Sequence, residues 1–328
     1  MTEQPEIVDI RGLEGGAAGA LERVAAEIAG PCAEWGVFHA VGHGIPEAEV
    51  AHFDAAMRRL FELPAAAKNA LRRTRDNAWG YYDRELTKNR RDWKEVFDYG
   101  VEPRAGAPAP SHSDGTNRWP DGMPELRDAL LAHYRRCEAI SRALLRALCA
   151  GLGLAADALD RHFAPHTSFQ RLNRYAPCPD PAPRDAPLLP ERGHLAVHHH
   201  TDASALTVLY QDGLAGLQVQ RGDRLVLVEP VPGALTINLG DMLQVWSNDH
   251  YCSPIHRVLA NPERERYSAP FFWNPAYETV CAPLPALLGP GEPARYAPVS
   301  WARFRDQRSA GDYADYGAEI QIADFRIA

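Results

Sequence analysis

Apolar residues follow two different periods along this chain. Up to about residue 164 the dominant spacing is helical. Leu21, Val24, Ala25 and Ile28 recur at that spacing within residues 17–35, and Val50, Phe53, Met57 and Leu60 mark one face of a second helix over 47–61. Short apolar runs at 6–10 and 36–41 read as strands, the second closed by the turn Gly42-His43-Gly44-Ile45-Pro46. The longest stripe contains Leu126, Leu130, Tyr134, Ile140, Leu144 and Leu148 and predicts a helix from Pro124 to about Leu152. Its proline suits a first helical position, and Gly151 or Gly153 would end it. A short helix is expected near 155–163.

After residue 165 the pattern shortens. Strand candidates crowd together at 168–175, 195–199, 206–210, 217–220, 225–227, 234–239, 243–246, 255–259 and 267–273. Short strands between turns indicate a β-sandwich or barrel. Residues 68–91 are basic and irregular, 105–117 and 180–192 read as loops, and 283–298 is rich in Pro and Gly. A short helix is expected at 300–308, with the tail from 313 packing back on the barrel. The expected division is an N-terminal helical and β region (1–120), a supporting long helix (121–164), a β core (165–282) and a C-terminal helix and tail (283–328).

Composition narrows the class. With 328 residues, 45% hydrophobic and 24% charged, the chain can bury a sizeable core. A net charge of -8 and no block of Lys or Arg argue against nucleic-acid binding. No apolar run is long enough for a membrane span, and the N-terminus lacks a signal-peptide layout. Six scattered cysteines without a CxxC pair read as free thiols, so a cytoplasmic location is expected. Nothing indicates an oligomeric state.

Candidate chemistry begins at His200-Thr201-Asp202. Residues i and i+2 of a strand share a face, so this segment can aim an imidazole and a carboxylate at one point. His256 can return to the same place through the intervening strands. Two imidazoles and a carboxylate on one side of a metal leave positions open, the ligand set of non-haem Fe(II) oxygenases; zinc accepts the same donors. On its own, a His-x-Asp spacing beside His198 and His199 is compatible with a His-rich tract of no fixed role. His43 lies in a turn where its ring can bond local backbone.

Several motifs in order carry a resemblance. The run from His200 through Asp212, then Gly216-Leu217-Gln218-Val219, Pro232 through Leu243, His256-Arg257-Val258, Arg266-Tyr267-Ser268 and Pro270 through Pro275 resemble the isopenicillin N synthase-like family of Fe(II)/2-oxoglutarate-dependent dioxygenases. Upstream, Asn173-Arg174-Tyr175-Ala176-Pro177-Cys178-Pro179 is similar to that family's Asn-x-Tyr-x-x-Cys-Pro stretch, departing from it at Arg174 and Ala176.

The resemblance implies an α+β fold with a double-stranded β-helix (jelly-roll) core flanked by helices. It implies Fe(II) on His200, Asp202 and His256, with 2-oxoglutarate and O2 in the open positions. The far carboxylate of 2-oxoglutarate falls to Arg266, Ser268 and Tyr175, and Asn173 touches the near one. The implied reaction couples decarboxylation of 2-oxoglutarate to succinate and CO2 with oxidation of an unactivated C–H bond of a small metabolite, by hydroxylation, desaturation or cyclisation. The carboxylate at Asp202 disfavours halogenation, because halogenases of this broad type carry a small residue there. Tyr81, Tyr82 and Arg84 are lid candidates that could equally form a solvated surface, and Phe272 shares the Arg266 face. Three alternatives stay open: a family oxidase using O2 without 2-oxoglutarate, a zinc hydrolase on the same ligands, and a non-catalytic jelly-roll binding protein.

Overall fold

The computed structural model describes residues 4–74, 77–100, 115–315 and 317–327. Two facing sheets form its centre. In chain order the strands are β1 (Ile7–Asp9), β2 (Val37–Val41), β3 (Gly80–Tyr82), β4 (Leu86–Thr87), β5 (Arg90–Arg91), β6 (Glu95–Gly100), β7 (Phe169–Tyr175), β8 (Leu195–His200), β9 (Leu206–Gln211), β10 (Leu217–Arg221), β11 (Arg224–Leu227), β12 (Leu235–Leu239), β13 (His256–Leu259), β14 (Arg266–Trp273), β15 (Val280–Cys281) and β16 (Val299–Ser300). Among the described residues, the large sheet runs β1-β2-β12-β9-β14-β7-β6-β3 and the small sheet β11-β10-β13-β8.

Alternation along the central strands explains the layering. In β14, Tyr267, Ala269, Phe271 and Trp273 join the main apolar core. In β9, Leu206 and Val208 do the same. The helices α1 (Ala20–Glu34), α2 (Glu47–Phe61) and α4 (Pro124–Gly151) complete that layer; α3 (Ala65–Ala70) lies beyond them in the chain. On the opposite face, Tyr175 and Leu209 of the large sheet meet Val197, Leu217, Val219 and Val258 of the small sheet in a second apolar cluster. Functional side chains occupy the remaining inward positions of these strands.

α1, α2 and α4 form where the stripes place them, and Pro124 takes the first turn of α4. Gly36 links α1 to β2 at φ +72°, and a Cβ there would stand 2.2 Å from the Cys252 carbonyl oxygen. Only glycine satisfies both constraints.

The strand expected at 243–246 is instead a helix, α5 (Asp241–Trp246), every residue of it buried. A short apolar run enclosed on all sides has no period that separates strand from helix. The helix expected at 155–163 is a 3-10 turn at Asp160–Phe163. The irregular stretch before residue 91 contains α3, β3 and the small β4–β5 ribbon. Most of the loop expected at 105–117 lies outside the described residues. α6 (Trp301–Gly311) follows β16 and is capped by Ser300, which accepts from the Arg303 amide. All six cysteines are free. No helix of the described residues is long and apolar enough to cross a membrane.

Candidate active site

His200 ends β8 and His256 begins β13. The antiparallel register sets them directly opposite each other, with ring centroids 4.2 Å apart. Asp202 follows on the β8–β9 turn, its Oδ1 lying 3.6 Å from His200 Nε2 and 3.7 Å from His256 Nε2. The ligand atoms of all three lie within 4.8 Å of one another.

Neighbouring groups fix how each donor points. His200 Nδ1 lies 2.8 Å from the His198 carbonyl oxygen and His256 Nδ1 lies 3.1 Å from that of Pro254. A carbonyl accepts only, so both Nδ1 atoms carry the proton and both Nε2 lone pairs face the cluster. Asp202 Oδ2 accepts from Thr207 Oγ1 at 2.5 Å and Asn238 Nδ2 at 2.8 Å, leaving Oδ1 toward the two imidazoles. Burial would raise the Asp202 carboxyl, but His256 and His200 hold it well below the usual range. Burial, with His200 beside it, pushes His256 down to about 4, so it is neutral near pH 7. One carboxylate and two imidazole nitrogens suit a divalent cation. His198 instead bonds Asp92 at 2.9 Å, and His43 bonds the Gly233 carbonyl and the Ile45 amide. Neither His198, His199 nor His43 joins the cluster.

A cavity of about 80 Å³ opens beside the triad and is lined by Asn173, Tyr175, Arg266 and Ser268. The β14–β7 register pairs Arg266 with Tyr175 and Ser268 with Asn173, so four residues from distant parts of the chain form one patch. Tyr175 Oη lies 3.0 Å from Ser268 Oγ, and Asn173 Nδ2 donates to the same oxygen at 3.4 Å. Arg266 is buried; its Nε donates to the Leu214 carbonyl at 2.9 Å and its Nη2 to Gln211 Oε1 at 2.7 Å. Among the described residues its Nη1 has no partner, and neither has Asn173 Oδ1. A buried guanidinium with an unsatisfied N–H beside a cavity calls for an anionic guest. Gly216 admits the guanidinium, since a Cβ there would come within 3.1 Å of Arg266 Nε.

A second cavity, about 130 Å³, adjoins His200 and Asp202. His200, Asp202, Lys94, Arg171, Val197 and Phe272 line both. One guest can therefore sit in the Arg266 cavity and a different one in the adjoining cavity.

The lid candidates Tyr81, Tyr82 and Arg84 line neither cavity. Tyr81 is buried and donates to Glu95 at 2.7 Å. Tyr82 covers the Arg73 guanidinium, 4.3 Å from its ring centroid, one layer behind the second cavity. Arg84 is exposed beside Asp83. Phe272, by contrast, is a wall of both cavities. Sequence reasoning missed Thr207 and Asn238, and missed the charged lining of the second cavity: Arg73, Glu85, Lys94, Asp98, Arg171 and Asp312. The basic stretch before residue 91 was its one trace.

Comparison with known proteins agrees with this geometry. Residues 166–275 match the model of the 2OG-Fe(II) oxygenase superfamily, and residues 6–122 match that of the non-haem dioxygenase in morphine synthesis N-terminal region. Gibberellin 20 oxidase 2 of Oryza sativa subsp. indica is 34% identical over 302 residues, 90% of this chain and 73% of that protein. The chain belongs to the 2OG-Fe(II) oxygenase superfamily. Feruloyl CoA ortho-hydroxylase F6H1-1 of Ipomoea batatas is 33% identical over 280 residues, covering 83% of this chain and 72% of that one. Among solved structures, JOX2 in complex with 2OG, Fe and JA superposes with a TM-score of 0.77 at 28% identity, covering 92% and 84% of the two chains. A 2OG-Fe(II) oxygenase family protein of Caulobacter crescentus gives 0.80 at 25% identity, covering 94% and 99%. The protein is an Fe(II)/2-oxoglutarate-dependent dioxygenase with a jelly-roll core, and uses Fe(II), 2-oxoglutarate and O2.

Proposed function

We propose that His200, Asp202 and His256 hold Fe(II), that Arg266, Ser268, Tyr175 and Asn173 hold 2-oxoglutarate, and that a small metabolite enters the second cavity to be oxidised at an unactivated C–H bond. The observation that carries this reading is the unpaired Nη1 of buried Arg266 in the cavity that opens on the triad. Arg266 Nη1 and the Ser268 hydroxyl donate to the far carboxylate, with the Tyr175 hydroxyl beside them. Asn173 approaches the other end of the same guest. The iron, when bound, supplies the activation of O2. Around it the protein orients the guests and excludes water with Val197, Leu209, Leu217 and Phe272. Solved relatives contain small guests of this kind, JA in JOX2 among them.

The test is anaerobic addition of Fe(II) and then 2-oxoglutarate. A weak visible charge-transfer band in the parent, lost in Arg266→Ala, supports the assignment, and succinate release then reports turnover. Iron binding without the band would favour the oxidase reading, in which the prime substrate ligates the metal itself.

A further inference from the structure

Thr201 stands between His200 and Asp202 in the chain and is held from two sides. Its hydroxyl donates to Asp241 Oδ2 at 3.1 Å, and its carbonyl accepts from Arg308 Nη2 at 2.8 Å. The Asp241 amide donates in turn to the Asp202 carbonyl at 2.7 Å. Asp241 opens α5 and Arg308 lies in α6. The turn that sets two members of the triad is thus suspended between two helices, one of them near the end of the chain. Arg308 and Thr201 also line the second cavity.

The other branch of the Arg308 guanidinium reaches the C-terminal tail. Nη1 donates to Glu319 Oε1 and to the Ile320 carbonyl, both at 3.0 Å. Glu319 Oε2 accepts from the Lys88 amide at 2.9 Å, and the Asn89 side chain donates to the Gly317 carbonyl at 2.7 Å, so the tail also carries the β4–β5 turn. A planar fork suits this double duty, because its two ends keep a fixed spacing that a flexible ammonium does not. Apolar packing contributes little to the same segment. None of residues 312–315 and 317–321 is buried. Ile320 packs only partly against the core, and Tyr313 rests on Tyr82 and Arg73. A segment held mainly by partly exposed polar contacts opens at a small fraction of the global unfolding free energy.

We propose that Arg308 is a positioning residue that couples docking of residues 317–321 to the geometry of His200 and Asp202. This rests on the oxygenase reading of the site. With the tail docked, Glu319 and the Ile320 carbonyl aim the guanidinium at Thr201 and the ligand turn is fixed. With the tail released, the aim is lost and the Thr201 carbonyl gives up its partner. Coupling of this kind is reciprocal, so a metal ion that holds the turn in place also holds the tail down beside the second cavity.

Two measurements test it together: Fe(II) affinity by anaerobic competition with a chromophoric chelator, and amide hydrogen exchange of residues 317–321 with and without Fe(II). Arg308→Met should weaken Fe(II) binding about ten- to hundredfold, with Arg308→Lys recovering part of the loss. Among the described residues Glu319 bonds no member of the triad, yet Glu319→Ala should weaken Fe(II) binding about fivefold, an effect that a purely local role of Arg308 would not produce. Fe(II) should slow exchange of the tail about fivefold in the parent and leave it unchanged in Arg308→Met. Parent-like Fe(II) affinity in Arg308→Met, or exchange in the parent that ignores Fe(II), overturns the proposal. Should Arg308→Met lose its far-UV circular dichroism, Arg308→Lys, Glu319→Ala and the exchange of the parent decide. A parent that binds Fe(II) but gives no 2-oxoglutarate band fails the oxygenase reading and leaves the coupling standing; one that binds no Fe(II) overturns both.

Discussion

Thr207 and Asn238 stand opposite each other across the β9–β12 pair and bond the same oxygen of Asp202. That shared contact turns the other oxygen toward His200 and His256. Removing it frees the carboxylate to rotate without deleting a ligand. Asn238→Ala and Thr207→Val are each expected to weaken Fe(II) binding about ten- to hundredfold, the usual cost of losing an outer partner of a ligand. Competition against a chromophoric chelator measures this, with circular dichroism as the check on folding. Unchanged affinity in both would mean that the β9–β12 contacts do not orient Asp202.

On the proposed assignment of the cosubstrate to Arg266, Gly216 offers a way to disturb its binding while leaving every anchoring residue in place. An added methyl would meet Arg266 Nε and shift the guanidinium off Leu214 and Gln211. Gly216→Ala should raise the KM for 2-oxoglutarate about tenfold, equivalent to about 1.4 kcal/mol, with iron affinity unaltered. Arg266→Met should raise it about a hundredfold. Equal losses of iron and cosubstrate affinity would contradict the division of the site into two parts.

His133 makes metal-free stability depend on pH. It lies inside α4, stacked on Phe53 at 3.6 Å and facing the Gln170 amide at 3.0 Å. Burial pushes it from 6.5 down to about 4, against weaker opposing effects of Gln170 and Glu49. Protonation is therefore easier in the unfolded chain. Stability is fully present above about pH 6.5 and is lost as pH falls toward about 4. At about 1.4 kcal/mol per pH unit, the total is about 3 kcal/mol. Urea denaturation across that window should show a smaller loss in His133→Asn than in the parent, although the variant begins less stable. Identical pH slopes would exclude His133 as a source.

Arg257 follows His256 in the chain yet serves the scaffold. It is buried, donating to Gln218 Oε1 and to the carbonyls of Pro187 and Ala186. The proline-rich excursion at 180–192 is thereby tied to β13. Arg257→Met removes all three bonds and leaves buried Gln218 Oε1 unpaired, and should cost about 1–3 kcal/mol in chemical denaturation. Proteolytic cleavage should then appear first within 180–192.

Legibility in the sequence followed the range of the interaction. α1, α2 and α4 were readable because one stripe of apolar residues decides a helix that packs on a single surface. The triad was readable because His200 and Asp202 are two apart, and the distal motifs fell in order. The Arg266–Tyr175 and Ser268–Asn173 pairs came only by resemblance, since sequence does not state the register of strands some 90 residues apart. Thr207 and Asn238 were missed for the same reason. Residues 243–246 were misread because complete burial erases periodicity. The role of Tyr82 was obscured because it faces Arg73, and Arg73 faces the cavity.

Iron and 2-oxoglutarate would touch different walls of the jelly roll. His200 and His256 belong to the small sheet, while Arg266, Ser268, Tyr175 and Asn173 belong to the large one. Chelation of the ion by the cosubstrate would thus complete a brace across the interior, adding to the apolar packing and the Asp202 contacts to Thr207 and Asn238. Each guest should then raise the affinity for the other by one common factor. Resistance to heat and to proteases should rise more for the pair than for the two taken singly. The cell's supply of iron and 2-oxoglutarate would in that way set the lifetime of the protein as well as its rate.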